Sequence, residues 1–316
     1  MYTCTMKIPP QLLKLYQLFQ NSRNIIGITV LMVLSLITPL FGVGGDFSAF
    51  IAAVTRIGYG VHTWNPYPFY WLVEPFALPP LQWGFLLWLL LNMLGYLYAI
   101  DKFHGDFLSF SWSYPAIYGI LTGQSEGIAA LGLALGMFAP SWVAGIGIAF
   151  LSFKTHLGLV PIIFIIAYRR DWRVLIIPIV LYLASFLYWG WWIPEWLGNM
   201  YMPGSVEWRL SHNTSLFPWG LIFIPLAWFW WRNSLSMWLI IQGLTMPYYT
   251  LYSYSIVYVA CQVPWWVTAF MWLSIIVNHP IPKMIVPFLL MIAVQHQLEI
   301  YQKRVSFVNT VRGFMP

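Results

Sequence analysis

Charge is what this sequence has least of. Asp, Glu, Lys and Arg together make 8% of 316 residues, with 9 acidic side chains against 15 basic ones. A conventional soluble domain carries about a quarter of its residues charged, so a separate soluble domain is excluded. Cysteine is nearly absent: Cys4 lies in an N-terminal arm and Cys261 in an apolar segment, which leaves no disulfide framework. The 6 histidines are scattered without HxxxH or CxxC spacing, so neither a metal site nor a divalent-metal cofactor is expected. Walker loop, dinucleotide-binding glycine pattern and nucleophile elbow are all missing, and soluble nucleotide-dependent catalysis finds no support. The basic residues sit in short connections between apolar runs, a pattern that sets membrane orientation and does not indicate nucleic acid.

What fills the sequence instead is apolar: 60% hydrophobic and 19% aromatic residues. Runs near the roughly 20 residues that a spanning helix needs recur along the chain. The expected fold is an all-α polytopic membrane protein with about eleven spans. They are placed near 25–43, 81–100, 107–121, 126–139, 141–154, 156–168, 174–190, 217–231, 235–250, 254–276 and 283–298. Several of the middle ones are too short to cross alone and read as broken helices that lean on protein neighbours. Residues 1–24 read as a polar, partly amphipathic arm with no signal-peptide cleavage site. Residues 25–298 form one transmembrane domain, and 299–316 a tail.

A cytoplasmic N-terminus with Lys7, Lys14 and Arg23 puts Lys102, Arg169, Arg170, Arg173 and Arg232 on the same side. The two long connections, 44–80 and 191–216, then both face outward. An eleventh crossing would leave Lys303, Arg304 and Arg312 outside. Either the segment broken at Pro264 re-enters, or the last apolar run lies along the interface.

The first outer connection opens with "GGDFSAF". Gly-Gly-Asp-Phe is a fragment of the diguanylate-cyclase signature, but the apolar run before it rules out that soluble domain. Phe47, Phe50, Ile51 and Val54 follow at helical spacing, which predicts an amphipathic helix in the membrane interface. Asp46 then either caps that helix or carries chemistry. Arg56 and Glu74 lie in the same connection; Arg56 could bind an anion or pair with a headgroup.

Three further segments hold candidate residues. In "TGQSEG", Gln124, Ser125 and Glu126 sit between glycines at a turn, either at a cavity mouth or simply at the surface. In "FLSFKTHLG", Lys154 and His156 interrupt an apolar run. A charge there faces a wet cavity or an anion, phosphate being a good partner for lysine, unless Lys154 snorkels to headgroups. In "VEWRLSHNTSLF", Arg209, His212, Asn213 and Ser215 cluster before a span; Arg209 could pair with phosphate while His212 and Asn213 bond a sugar or acceptor. Asn213-Thr214-Ser215 also matches the N-glycosylation sequon.

The order of "GGDFSAF", "NPYPFYWLVEPFALPP", "TGQSEGIAALGLALG", "GIAFLSFKTHLGLV", "HNTSLF" and "LTMPYYTLYSYSIVY" resembles glycosyltransferase family 87, from about Phe41 to Val259. That family belongs to the GT-C superfamily of polytopic transferases. The resemblance implies a GT-C-like fold and a polyprenyl-phosphate sugar as donor, with a mannose-like hexose moved to a glycan, lipid or protein acceptor at the plasma membrane. It implies Asp46 as general base. Gln124, Lys154, Asn213 and Ser215 also fall on family motif positions, with cationic groups stabilising the departing lipid phosphate. Ser125 and Glu126 stand where the family usually has Asn, and Thr155-His156 where proline follows the lysine. Two other classes stay open: a transporter or flippase for a lipid-linked substrate, and a non-catalytic subunit that packs against membrane-protein partners.

Overall fold

The computed structural model describes residues 10–55, 64–200, 212–277 and 279–313, and these are helical with no strand. The helices are α1 Pro10–Phe41, α2 Gly45–Thr55, α3 Pro68–Ala77, α4 Leu81–Phe103, α5 Phe107–Ser111, α6 Tyr114–Thr122, α7 Glu126–Phe138 and α8 Ser141–Ser152. They continue as α9 Thr155–Arg169, α10 Ile176–Trp189, α11 Ile193–Met200, α12 Phe223–Trp230, α13 Leu235–Thr245, α14 Ser255–Ala260, α15 Trp265–Ile276 and α16 Pro280–Gly313. Short 3-10 turns cover Trp172–Leu175, Trp219–Ile222 and Leu251–Tyr254.

Among the described residues, four segments are long and apolar enough to cross a membrane: Gln20–Phe41, Leu81–Phe103, Trp172–Trp189 and Ile281–Ile300. They coincide with four of the expected spans. The remaining apolar helices are shorter; α7, with 13 residues, is only about 20 Å long at 1.5 Å per residue. Local chemistry accounts for the breaks. The expected span 107–121 is cut because Ser113 caps α6, accepting from Ala116 N–H at 3.2 Å ahead of Pro115. The expected span 254–276 is cut at Pro264, which precedes α15.

Short helices can pack closely where small residues meet. A Cβ on Gly132 would sit 2.6 Å from the Gly147 carbonyl oxygen, and one on Gly147 would sit 2.5 Å from that of Gly132. α7 and α8 therefore touch backbone to backbone, as helices in lipid do when dispersion has to replace the hydrophobic effect. Asn92 on α4 docks the start of α7 by accepting from Ile128 N–H at 3.2 Å while donating to the Trp88 carbonyl at 3.0 Å.

Contacts gather the basic positions at one end of the bundle. Arg23 meets Asp106, Gln262 donates to the His104 carbonyl, and Gln297 donates to the Gln262 carbonyl. Phe103 packs on Phe138, next to the Gly136 and Met137 carbonyls that accept from Arg169. Trp231, beside Arg232, donates to Gln295. The C-terminal half of α16 thus returns to the end where the membrane-length part of α1 begins. The chain breaks at Pro264, between α14 and α15.

The two long connections, 44–80 and 191–216, meet at the other end. Tyr67 stacks on Trp192 with centroids 5.0 Å apart, Trp71 stacks on Trp189 at 4.5 Å, and Trp196 donates to the Trp64 carbonyl at 3.1 Å. α2 does not lie with its apolar face in the interface as expected. Phe47, Phe50 and Ala53 are buried, and the two rings pack on Phe69, Phe85 and Trp88. The same apolar spacing serves protein packing as well as lipid, and here α3 and α4 cover it.

Candidate functional site

Asp46 occupies the second position of α2, held there by two glycines. Gly42 has φ +139°, and Gly44 lies so close to α6 that a Cβ would come within 2.4 Å of the Thr122 carbonyl. Asp46 does not act as the N-cap: it is inside the first turn, and its carboxyl faces the side chains of Thr122 and Gln124 and the charge of Lys154. Burial raises its pKa above the ordinary aspartate value, opposed by the charge of Lys154 and by the polar side chains of Thr122 and Gln124.

The turn between α6 and α7 supplies the next residues. Gly123 ends α6 in the left-handed region, φ +75°, and the Trp88 indole donates to its carbonyl at 2.8 Å. That bond fixes the turn, so Gln124 points back toward Asp46 while Glu126 opens α7. Lys154 enters from the break between α8 and α9. Its Nζ donates to Gln124 Oε1 at 2.7 Å and to Glu126 Oε1 at 2.5 Å, and stands 5.6 Å from the centroid of the Tyr252 ring. Tyr118 stacks on Tyr252 with ring centroids 5.2 Å apart.

Lys154 sits at the start of α9, the positive end of a helix dipole, where a cation is disfavoured. Glu126 offsets that, and both side chains are buried, 6% and 2% exposed. Gln242 fixes the start of α9 from α13: it donates to the His156 carbonyl at 2.7 Å and accepts from Val160 N–H at 3.0 Å. Those two groups are the partners of one i→i−4 helical step, immediately before Pro161. Around the cluster, Ser125 Oγ, Glu126 Oε2, His156 Nε2, Tyr254 Oη and Ser255 Oγ are buried without a protein hydrogen-bond partner.

His156 lies beside the cluster, its ring 5.8 Å from Tyr248 and 6.2 Å from Tyr249. Asn213 and Ser215 are engaged by backbone. Asn213 Oδ1 accepts from Ser215 N–H and Tyr249 N–H, its Nδ2 donates to the Pro247 carbonyl, and Ser215 Oγ donates to the Leu244 carbonyl. These bonds hold Tyr248 and Tyr249 against His156, one layer from the cluster. His212 is exposed. Arg56 and Arg209 lie outside the described residues.

The sequence pattern points to Asp46, Gln124, Glu126 and Lys154, and the structure brings them together from three separate breaks between helices. It misses Trp88, Thr122, Tyr252 and Gln242. Only Gln242, a polar side chain in an apolar run, leaves a trace in the sequence. Among the described residues no three His, Cys, Asp or Glu side chains form a metal-holding group.

Fold and site together define a helical membrane protein with a buried acid–amide–lysine–acid cluster near one end. No protein-family model, characterised protein or solved structure matches the chain.

Proposed function

We propose that the protein is a membrane glycosyltransferase moving a mannose-like hexose from a polyprenyl-phosphate donor to a hydroxyl acceptor on the outer side of the plasma membrane, with its N-terminus cytoplasmic. The observation that carries this proposal is the convergence of Asp46, Gln124 and Lys154 beside buried polar atoms that a sugar could satisfy. The eleven-span, GT-C-like arrangement belongs to the same proposal.

Asp46 takes the proton of the acceptor hydroxyl as its oxygen attacks the anomeric carbon. The bond from that carbon to the phosphate oxygen breaks with inversion, and both bonding electrons leave with the lipid phosphate. Burial makes Asp46 a stronger base than an exposed aspartate, and a positioned base contributes about 10²–10⁴-fold. Lys154 stabilises the departing phosphate, with Gln124 orienting its ammonium between donor and base. Glu126 holds the ammonium in place until the donor arrives. His156 and Tyr252 flank the sugar, and the acceptor, whether glycan, lipid or protein, enters past the aromatic outer connections.

The test is transfer of radiolabelled hexose from polyprenyl phosphate by the purified protein in lipid, with Asp46→Asn as control. Transfer that survives Asp46→Asn unchanged removes the assigned base. One observation favours a second reading, a non-catalytic subunit: Lys154 is already neutralised by Glu126 at 2.5 Å. Absence of transfer across a panel of hexosyl donors, together with copurification of a stoichiometric membrane partner, selects it.

A further inference from the structure

We infer that the end of the bundle opposite Asp46 carries a second site, which takes the headgroup of a zwitterionic phospholipid. A cavity of about 680 Å³ lies there between α1, α5, α15 and α16, lined by Arg23, Asp106, Trp112, Gln262, Trp265 and Thr268, among others. Its size falls within the range of small-ligand pockets, about 300–1,000 Å³. None of the Asp46 cluster lines it, and the length of α1 separates the two. The proposal is independent of the transferase reading.

Position and charge identify the occupant. Arg23 is near the start of the Gln20–Phe41 membrane-length segment and Gln297, another lining residue, near the end of Ile281–Ile300. The cavity therefore sits at headgroup level, open beside Trp265 and Trp112, which are 79% and 55% exposed. Arg23 and Asp106 are the charged side chains among the described lining residues, paired at 2.5 Å. The wall carries opposite charges and no net charge. A purely anionic head would gain from Arg23 and be repelled by Asp106. A head with phosphate and ammonium matches the Arg23–Asp106 pair charge for charge, phosphate toward the guanidinium and ammonium toward the carboxylate and the indole faces. Acyl chains leave past the exposed Ala269 into the bilayer.

The experiment uses the purified full chain in detergent and measures lipid retention by native mass spectrometry. The probes are phosphatidylethanolamine, phosphatidylglycerol and diacylglycerol of equal chain length, with inorganic phosphate as a headgroup-only control. Phosphatidylethanolamine should be retained at least about fivefold over each of the others. Equal retention of all lipids, a preference for phosphatidylglycerol, or binding of inorganic phosphate alone overturns the proposal. Two variants sharpen it. Asp106→Asn keeps an acceptor for Leu108 and Ser109 N–H at the start of α5 but leaves the wall cationic, so preference should invert toward phosphatidylglycerol; an unchanged preference counts against the site. Ala269 is exposed, so Ala269→Trp fills the opening without disturbing the core and should abolish selective retention. Selectivity that survives Ala269→Trp places the lipid elsewhere.

Discussion

Lys154 and Glu126 pair at 2.5 Å in the interior of a chain that is only 8% charged, with Gln124 holding the same ammonium at 2.7 Å. A buried ion pair is weak evidence for stability, because desolvation offsets most of the Coulombic gain, but removing one partner strands the other charge. Lys154→Ala should therefore destabilise the protein by about 3–5 kcal/mol. Lys154→Ala combined with Glu126→Gln should recover most of that loss. Thermal unfolding in detergent reads the difference. Activity separates the roles: the double variant should fold yet remain inactive, since no cation meets the leaving phosphate. A folded and active double variant would remove Lys154 from the reaction.

Asp46→Asn is expected to lower transfer by about 10²–10⁴-fold, the range for loss of a general base. The same change should leave the fold as stable as the wild type or more so at neutral pH, because the amide avoids the desolvation that raises the carboxyl pKa. Single-turnover transfer and unfolding temperature, measured on one preparation, check both halves. Loss of activity accompanied by loss of folding would mean that Asp46 is structural.

The raised Asp46 pKa also has a sign in pH. A base works deprotonated, so transfer should fall as pH drops through a value above the ordinary aspartate pKa of about 3.9, and Asp46→Asn should erase that limb. Stability runs the other way. The folded state holds the proton more tightly than the unfolded chain, so wild-type stability relative to Asp46→Asn should decline as pH rises from about 3.9 through the folded value. An acid limb at or below the ordinary aspartate value would contradict the burial of this carboxyl.

Some of this architecture is legible in the sequence and some is not, for physical reasons. The four membrane-length segments announce themselves because each is a long run of apolar residues, and Asp46, Gln124, Glu126 and Lys154 because polar groups are rare between such runs. The apolar face of α2 has no unique reading: Phe47 and Phe50 suit lipid and protein equally until Trp88 is known to lie beneath them. Asn213 and Ser215 carry a substrate-like look, but their hydrogen-bonding groups are spent on the backbone at Leu244, Pro247 and Tyr249. Trp88 and Tyr252 are hidden among 20 tryptophans and 19 tyrosines, since a ring chosen for its hydrogen bond or its face resembles an anchoring ring.

Gly44 and Gly45 form a matched pair. A Cβ at Gly44 would come within 2.4 Å of the Thr122 backbone, whereas one at Gly45 meets nothing within 4 Å. Gly44→Ala should cost about 1–3 kcal/mol through overpacking and reduce transfer by displacing Asp46 from Thr122. Gly45→Ala, in a first helical turn, should be neutral or stabilise by up to about 1 kcal/mol with transfer retained. Equal effects at the two positions would show that α2 does not rest on α6.

Gln242 holds the lysine's helix from a distance. Its amide is buried and spans the His156 carbonyl and the Val160 N–H, so it stands in the hydrogen-bond ladder of α9 where Pro161 has already removed one donor. Gln242→Leu keeps the volume near constant but leaves two buried backbone groups with neither amide partner, which should cost about 1–3 kcal/mol. The turn carrying Lys154 is then free to shift. Donor affinity should weaken more than the pH profile changes, because Asp46 approaches from α2 and has no bond to α9. Gln242→Glu supplies an acceptor for Val160 at any pH but a donor for the His156 carbonyl only when protonated, so it should recover part of the stability at low pH. If Gln242→Leu leaves both unfolding temperature and donor affinity at wild-type values, α9 closes its own ladder and Gln242 plays no part in placing Lys154.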